Sequence, residues 1–196
     1  MNPGPLVDRE LELVPPQVRW LDELLEACRH PLTVRDAPED SRLSREDVER
    51  FLSKAPWGLE PADPSRGRVP CYHFWMLLRH GPGGPTEVPA LRIAGGINLR
   101  VGVTHALELY YGHMGYHVYP PVRGQHYAER ACRLLLPLAR WHGMRTLWIT
   151  CNPDNHASRR TCERLGARLI EIVPVPKNDP LYARGETEKC RYRIDL

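Results

Sequence analysis

The 196-residue chain lacks the features that mark several classes of protein. No apolar run approaches the roughly 20 residues of a membrane-spanning helix, and no apolar segment follows the N-terminus as a signal peptide would. The arginines are dispersed and the net charge is only +3, so no basic block favours nucleic-acid binding. We therefore expect a cytoplasmic protein that binds neither a membrane nor a nucleic acid.

Metal-ligand spacing is also missing from the sequence. The six cysteines contain no C-x-x-C pair. His113 and His117 are four residues apart, but they lie in a segment that reads as a strand, and no second Cys/His cluster has zinc-ligand spacing. Nothing marks secretion, so we expect reduced thiols in the core and no metal site.

The N-terminal half is rich in turns, since most of the twenty prolines fall before residue 90. The segment "LELVPP" predicts a short strand, and residues 17–28 predict a helix. "SREDVERFL" predicts a second helix, with Ser44 and Asp47 spaced as a capping box. Two apolar runs, "CYHFWMLLR" and "ALRIAGGINLR", predict a hairpin whose long connection is "HGPGGPTEVP".

The C-terminal half alternates between strand and helix patterns. Strands are predicted at "YYGHMGYHV", "TLWIT", "RLIEIVPV" and "KCRYRIDL", and helices within residues 123–143 and at "HASRRTCERLG". The first of these helices has an apolar stripe at helical spacing, formed by Tyr127, Ala131, Leu134, Leu135 and Leu138. This order predicts an α/β fold, with a mixed sheet covered by helices on both faces. Ligands of such sheets tend to bind beyond the carboxyl ends of the strands, and the turn at Arg123, before the long helix, lies in such a place.

That helix begins with a distinctive hexapeptide, "RGQHYA" at residues 123–128. Its Gly124 lets the backbone approach a ligand closely, and the helix start presents unpaired N–H groups to an anion. The segment resembles the pyrophosphate loop of the GNAT superfamily of acyl-coenzyme A-dependent N-acyltransferases, usually R-G-x-G-x-A/G. His126 takes the place of the second glycine, and histidine tolerates left-handed backbone angles better than most residues.

A second segment, "CNPDNHASRRTCERLGARL", resembles the later motif of the same family. Asn155 is placed as the N-cap of a helix and Gly166 as its C-terminal stop. Together with "GHMGY", it is similar to a bacterial branch of predicted acetyltransferases. The resemblance covers roughly residues 90–196, which we interpret as the acyl-CoA-binding core, while residues 1–89 match only by their order of elements. We expect residues 1–196 to form a single domain.

The resemblance implies a GNAT-like central sheet, mixed but mostly antiparallel, of about six to seven strands. The strands at residues 112–119 and 146–151 would splay apart, and the pantetheine arm of acetyl-CoA, the co-substrate, would lie between them. The residues that the resemblance assigns to coenzyme A are His117, Val118, Tyr119, Arg123, Gly124, Gln125, His126, Tyr127, Ala128, Asn155, Ser158 and Arg159.

For catalysis the resemblance implies direct attack of an amine on the thioester, which requires a base and benefits from an acid. Glu108, His113 and His117 are the candidate bases, because they lie on or beside the central strand. By the period of two, both histidines share one face of that strand. Cys162 stands where the family often carries a tyrosine, and it is the candidate acid. Alternatively, each histidine satisfies a backbone carbonyl and Cys162 is a buried apolar contact.

The resulting hypothesis is an N-acetyltransferase that acts on a primary amine, either a small molecule or a peptide. One alternative is an acyl-CoA-binding regulatory or sensor protein of the same fold. Another is a phosphate- or nucleotide-binding module that uses the same helix start. Apolar edge strands at the C-terminus would permit a homodimer.

Overall fold

The structure, a computed structural model, describes residues 4–79 and 91–196. The predicted hairpin connection at residues 80–89 lies outside these ranges. No helix in them is long and apolar enough to cross a membrane.

Strands and helices follow closely the order that the sequence predicts. The strands of the described ranges are β1 Leu11–Val14, β2 Leu59–Glu60, β3 Cys71–Leu78, β4 Ile93–Arg100, β5 Met114–Val118, β6 Thr146–Cys151, β7 Arg168–Pro174 and β8 Glu188–Asp195. The helices are α1 Leu21–Arg29, α2 Pro31–Asp36, α3 Pro38–Ser41, α4 Arg45–Lys54, α5 Tyr127–Trp141, α6 His156–Arg164 and α7 Pro180–Ala183.

The strands form two sheets, where the sequence led us to expect one. The larger sheet has the order β1-β3-β4-β5, with β2 paired to β3, and the smaller has the order β6-β8-β7. Every ladder pairing in the described residues is antiparallel. The mixed α/β class with antiparallel sheets is confirmed, and the two sheets meet where β5 approaches β6.

The strand predicted from "YYGHMGYHV" is shorter than expected. Leu107–Tyr111 form a π-helical turn, and β5 begins only at Met114. Gly112 separates the two with φ 67° and ψ 163°, a combination that essentially only glycine adopts. The prediction that His113 and His117 share a strand face is therefore wrong, because His113 precedes the strand.

Helices cover both faces of the larger sheet, as predicted. On one face of β5, the Tyr119 hydroxyl lies 3.3 Å from Cys28 Sγ on α1. On the other face, the Tyr116 hydroxyl lies 2.9 Å from Ser158 Oγ on α6. Neighbouring residues of one strand point to opposite faces, so β5 separates a face under α1 from a face under α6.

The helices form where local signals place them. The Ser44–Asp47 capping box is present at the start of α4, and Asn155 caps α6 by accepting the Ser158 N–H. Helix α5 buries the apolar stripe that its spacing predicts, and Leu135 on that stripe is completely buried. Burial of one such leucine contributes about 1.5–3 kcal/mol, so packing stabilises α5 against the sheet.

Candidate active site

The two sheets touch at one point and then separate. The His113 N–H donates to Trp148 O at 2.6 Å, and the Trp148 N–H donates to His113 Nδ1 at 2.9 Å. Beyond this contact, β5 and β6 share no ladder pairing in the described chain. The gap is a cleft of about 190 Å³ whose lining includes Tyr116, Cys151 and Asn155.

One edge of β5 faces this cleft with main-chain groups that β4 does not use. The Tyr119 N–H donates to Ala94 O, and the His113 carbonyl accepts the Arg100 N–H, so odd-numbered residues bond to β4. In an antiparallel ladder the main-chain groups alternate between the two edges. The main-chain groups of Met114, Tyr116 and Val118 therefore point away from β4, towards the cleft side. The Val118 carbonyl accepts a 2.9 Å hydrogen bond from Arg123 Nε.

The loop before α5 contacts the end of β5 through the Arg123–Val118 hydrogen bond. Gly124 has φ 88°, and His126 adopts the left-handed conformation with φ 59° and ψ 20°. The histidine thus takes the backbone geometry of the glycine that the family pattern places there. Within the described residues, the main-chain N–H groups of residues 124–129 find no acceptor, and the α5 dipole adds partial positive charge at the same point.

Two arginines and a histidine belong to this loop or contact it. Arg123 lies in the loop, and a guanidinium nitrogen of Arg164, at the end of α6, contacts His126 Nδ1. We did not predict Arg164, although its place in the last turn of "HASRRTCERLG" is a usable signal. Arg159, which the resemblance assigns to coenzyme A, instead donates to the Tyr192 hydroxyl and to Pro153 O.

Asn155 and Ser158 line the cleft from the start of α6. Asn155 Oδ1 accepts the Ser158 N–H at 3.0 Å. Ser158 Oγ in turn contacts the Tyr116 hydroxyl, and Cys162 Sγ lies 3.9 Å from that hydroxyl. Burial raises the pKa of Tyr116 far above its ordinary value, so its hydroxyl keeps its proton at neutral pH.

Tyr116 is the residue that the sequence analysis missed at this site. Its hydroxyl lies 3.9 Å from the sulfur of Cys162. Cys162 is the position on α6 where the family often carries a tyrosine, so Tyr116 brings a hydroxyl to the same place from β5. The signal was available, because Tyr116 is adjacent to His117 in a strand and must point to the opposite face.

Three buried thiols lie behind Tyr116. Cys151 is directly opposite Cys190 in the β6–β8 ladder, and Cys162 faces Cys151 from α6. A hydrogen bond from Cys162 lowers the pKa of Cys151 below its ordinary value, with Ser158, Arg159 and Lys189 acting in the same direction. The same contact, followed by burial, raises the pKa of Cys162, which makes Cys162 the weaker acid of the two.

His113 and Glu108 are engaged away from the cleft. His113 is only 1% exposed, and its Nε2 donates to Gly102 O at 3.1 Å while Nδ1 accepts the Trp148 N–H. Burial lowers the pKa of His113. Glu108 accepts a hydrogen bond from the Trp148 indole N–H at 3.2 Å. Both ring nitrogens of His113 therefore serve the main chain, as one of the sequence alternatives expects.

His117 lies on the other face of β5, in the wall of a second cavity. This cavity, of about 410 Å³, is lined by Glu39, Asp40, Arg42, Leu43, Asp47, His117 and Tyr119, and we call it the acidic cavity. The His117 ring packs edge-on against Tyr119 with centroids 5.2 Å apart. A Cβ at Gly96 would lie 2.8 Å from His117 Cε1, so this glycine makes room for the ring.

The His117 imidazole has no hydrogen-bond partner among the described residues. His117 is exposed on the side that faces the cavity, while Gly96 and Tyr119 pack against the rest of its ring. Burial lowers the pKa of His117, Arg123 lowers it further, and Asp40 opposes both. The ring is therefore neutral at pH 7 and free to accept a proton.

Comparisons with known proteins agree with this fold. A family model described as "Acetyltransferase (GNAT) domain" matches residues 10–168. The microcin C7 self-immunity acetyltransferase MccE, solved with acetyl-CoA and AMP, is 16% identical with a TM-score of 0.67, covering 100% of this chain and 98% of that one. RimL, the ribosomal L7/L12 alpha-N-protein acetyltransferase, solved with coenzyme A, is 16% identical with a TM-score of 0.63, covering 97% and 96%.

A GNAT-family acetyltransferase from Bacillus anthracis is also 16% identical, with a TM-score of 0.63 and 98% of each chain covered. No curated protein matches the chain. At these identities the structural likeness shows the fold, whereas the family match spans most of the sequence.

Proposed function

The chain belongs to the GNAT acetyltransferase family, whose co-substrate is acetyl-CoA, and on that premise we propose that it acetylates a primary amine by direct attack on the thioester. The observation that carries the proposal is the open edge of β5, which leads into the unpaired N–H groups of residues 124–129. On this proposal the acetyltransferase domain comprises residues 1–196. Its support is a single buried cluster that includes Leu11 and Ile194.

We assign the diphosphate of coenzyme A to the loop at residues 123–128. Its free N–H groups supply donors, and Arg123 and Arg164 supply positive charge. The pantetheine arm fits the cleft between β5 and β6, where the main chain of Tyr116 and Val118 offers donors and acceptors. Arg123 Nε now occupies the Val118 carbonyl, so we expect this side chain to turn from the carbonyl to the diphosphate on binding.

The amine approaches from the acidic cavity. Its nitrogen forms a bond to the thioester carbon, His117 accepts the proton that the nitrogen loses, and the carbon–sulfur bond breaks. The departing thiolate takes a proton from the Tyr116 hydroxyl, which regains one from solvent while His117 releases its extra proton to solvent. Of the four residues predicted for catalysis, His117 keeps the role of base. Cys162 supports Tyr116, while Glu108 and His113 hold the junction of β5 with β6.

A neutral base gives this mechanism a defined pH dependence. Because the pKa of His117 is below 6.5, kcat should be level around pH 7 and fall only as pH decreases below 6.5. His117→Gln should lower kcat by about 100-fold or more, as expected for loss of a general base. Tyr116→Phe should lower kcat while leaving acetyl-CoA affinity nearly unchanged. A wild-type pH profile retained in His117→Gln would refute the assignment.

Calorimetric titration with acetyl-CoA and with 3′,5′-ADP tests the binding site itself. The double variant Gly124→Pro with Arg123→Glu should lose acetyl-CoA binding. Arg145→Glu makes the same charge change beyond the opposite end of α5, about 22 Å away by helix rise, and should bind normally. Equal binding by the double variant and wild type would contradict the assignment of the loop.

The same titration addresses the alternatives. A regulatory coenzyme A-binding protein would bind acetyl-CoA without releasing thiol in the presence of any amine. A general nucleotide-binding module would bind 3′,5′-ADP as tightly as acetyl-CoA, because it would gain nothing from pantetheine. The cleft between β5 and β6, with main-chain donors and acceptors for a pantetheine arm, favours the acetyltransferase over both alternatives.

A further inference from the structure

The acidic cavity indicates what kind of amine the protein accepts. We propose that the acceptor is a small aliphatic amine with a second positive charge, such as an α,ω-diamine, and that Asp40 and Glu39 hold the second charge. This inference rests on the proposed function, since it takes His117 as the base that receives the proton of the reacting amine.

The position of the cavity makes it an acceptor site. It lies across β5 from the cleft, and His117, the unpartnered base, forms part of its wall. Tyr119 closes the wall beside His117 and is itself fixed by its contact with Cys28. An amine that enters here meets the base before it meets the thioester.

The charges of the cavity favour a cation. Three carboxylates, Glu39, Asp40 and Asp47, line it together with a single cation, Arg42. Hydrogen bonds from Ser44 and a contact with Arg50 already occupy Asp47. The side chains of Glu39 and Asp40 form no hydrogen bond or ion pair in the described part of the chain.

Asp40 is the stronger of the two candidates. It is half-buried, and its charge acts on His117, Cys28 and Tyr119. A partly desolvated carboxylate without a partner is unfavourable, and an ammonium group beside it removes the cost. Such a charge-assisted hydrogen bond is among the stronger polar contacts in proteins.

The volume of the cavity sets the size of the acceptor. A cavity of 410 Å³ corresponds to roughly a dozen water-sized groups at about 30 Å³ each. It therefore holds a chain of up to about a dozen heavy atoms, with one amine at His117 and the other at Asp40. A whole protein would reach this cavity only with one side chain or terminus.

Three amines of equal chain length separate these possibilities: 1,5-diaminopentane, pentylamine and 5-aminopentanoate. Thiol release and product mass measure kcat/KM for each. We expect the diamine to exceed pentylamine by at least about tenfold, the discrimination of a single charged hydrogen bond. The aminopentanoate should be the poorest acceptor, because its carboxylate meets Asp40 and Glu39.

Variants assign the effect to the cavity. In Asp40→Asn and Glu39→Gln, the diamine to pentylamine ratio of kcat/KM should fall towards one, mainly through KM for the diamine. Glu46→Gln, which removes an exposed carboxylate outside the cavity lining, should keep the wild-type ratio. An unchanged ratio in Asp40→Asn would overturn the role of Asp40.

The failure of this inference can be told apart from failure of the proposed function. If the protein binds acetyl-CoA but favours the aminopentanoate, treats all three amines alike, or acetylates only peptides, the inference is overturned and the acetyltransferase remains. If it does not bind acetyl-CoA, the proposed function fails and the inference fails with it.

Discussion

His126 offers a direct test of the pyrophosphate loop. Its backbone is left-handed, at φ 59°, a conformation that costs a residue with a side chain about 1–2 kcal/mol. Histidine and asparagine bear this cost better than most residues, and β-branched residues bear it worst. The variants His126→Val, His126→Asn and His126→Gly therefore form a series of decreasing backbone strain at one position.

The backbone strain of the valine variant should lower either its stability or its affinity for acetyl-CoA, and both changes can be measured. If valine keeps the loop geometry, the free energy of unfolding of the valine variant should be about 1–2 kcal/mol lower than that of the glycine variant. If the loop rearranges instead, the N–H groups of residues 124–129 turn away from the diphosphate. The affinity for acetyl-CoA should then fall by about 5–30-fold, the equivalent of the same free energy.

Calorimetric titration and thermal unfolding of the three variants distinguish these outcomes. All three change the contact between Arg164 and His126, so the difference between the valine and glycine variants isolates the backbone. We expect the glycine variant to bind acetyl-CoA at least as tightly as the asparagine variant, and the valine variant to lose affinity, stability or both. A valine variant that matches glycine in both measurements would refute the reasoning.

Three further predictions concern other parts of the molecule. His113 is buried and neutral with a pKa below 6.5, so the unfolded chain binds a proton that the folded chain does not. Stability should therefore fall as pH decreases through 6.5, and the urea midpoint of His113→Gln should depend less on pH; equal slopes would argue against this. Because the pKa of Cys151 is lowered and its side chain lines the cleft, whereas the pKa of Cys71 is raised to about 11, iodoacetamide should modify Cys151 before Cys71 near neutral pH. Coenzyme A should protect it, and a rate indifferent to coenzyme A would place Cys151 outside the pantetheine cleft. Finally, β7 is an edge strand with exposed Ile170 and Ile172, a feature that invites pairing with a second copy. Replacing both by lysine should convert a dimer to a monomer in sedimentation, whereas a wild-type protein that sediments as a monomer would exclude this pairing.

Local signals made much of the fold predictable. The capping box of Ser44 and Asp47 and the cap at Asn155 each depend on a few neighbouring residues, and the structure contains both. The apolar stripe of α5 depends only on helical periodicity. The loop at residues 123–128 was found in the same way, because its glycine and its helix start lie within six residues of one another.

Features that depend on distant segments were not predictable in this way. The π-helical turn before Gly112 exists because β5 and β6 approach each other there: a Cβ at Gly112 would lie 3.0 Å from Thr150 N. No pattern within "YYGHMGYHV" reports that approach. The acidic cavity likewise joins Asp40 to His117, 77 positions later in the chain, and Arg164 meets His126 only through the packing of α5 against α6.

The register of β5 links these local and distant features. Gly112 ends the helical turn, so β5 begins at Met114. In this register Tyr116 points towards α6 and His117 points towards the acidic cavity. Asn98 Oδ1 fixes this arrangement by accepting the Gly115 N–H at 3.2 Å. A slip of one residue would exchange the faces of every side chain in the strand. The proposed acid, Tyr116, and the proposed base, His117, would then lie on the wrong sides of the thioester. The register of this five-residue strand therefore decides whether the protein can both accept the proton of the amine and protonate the thiolate.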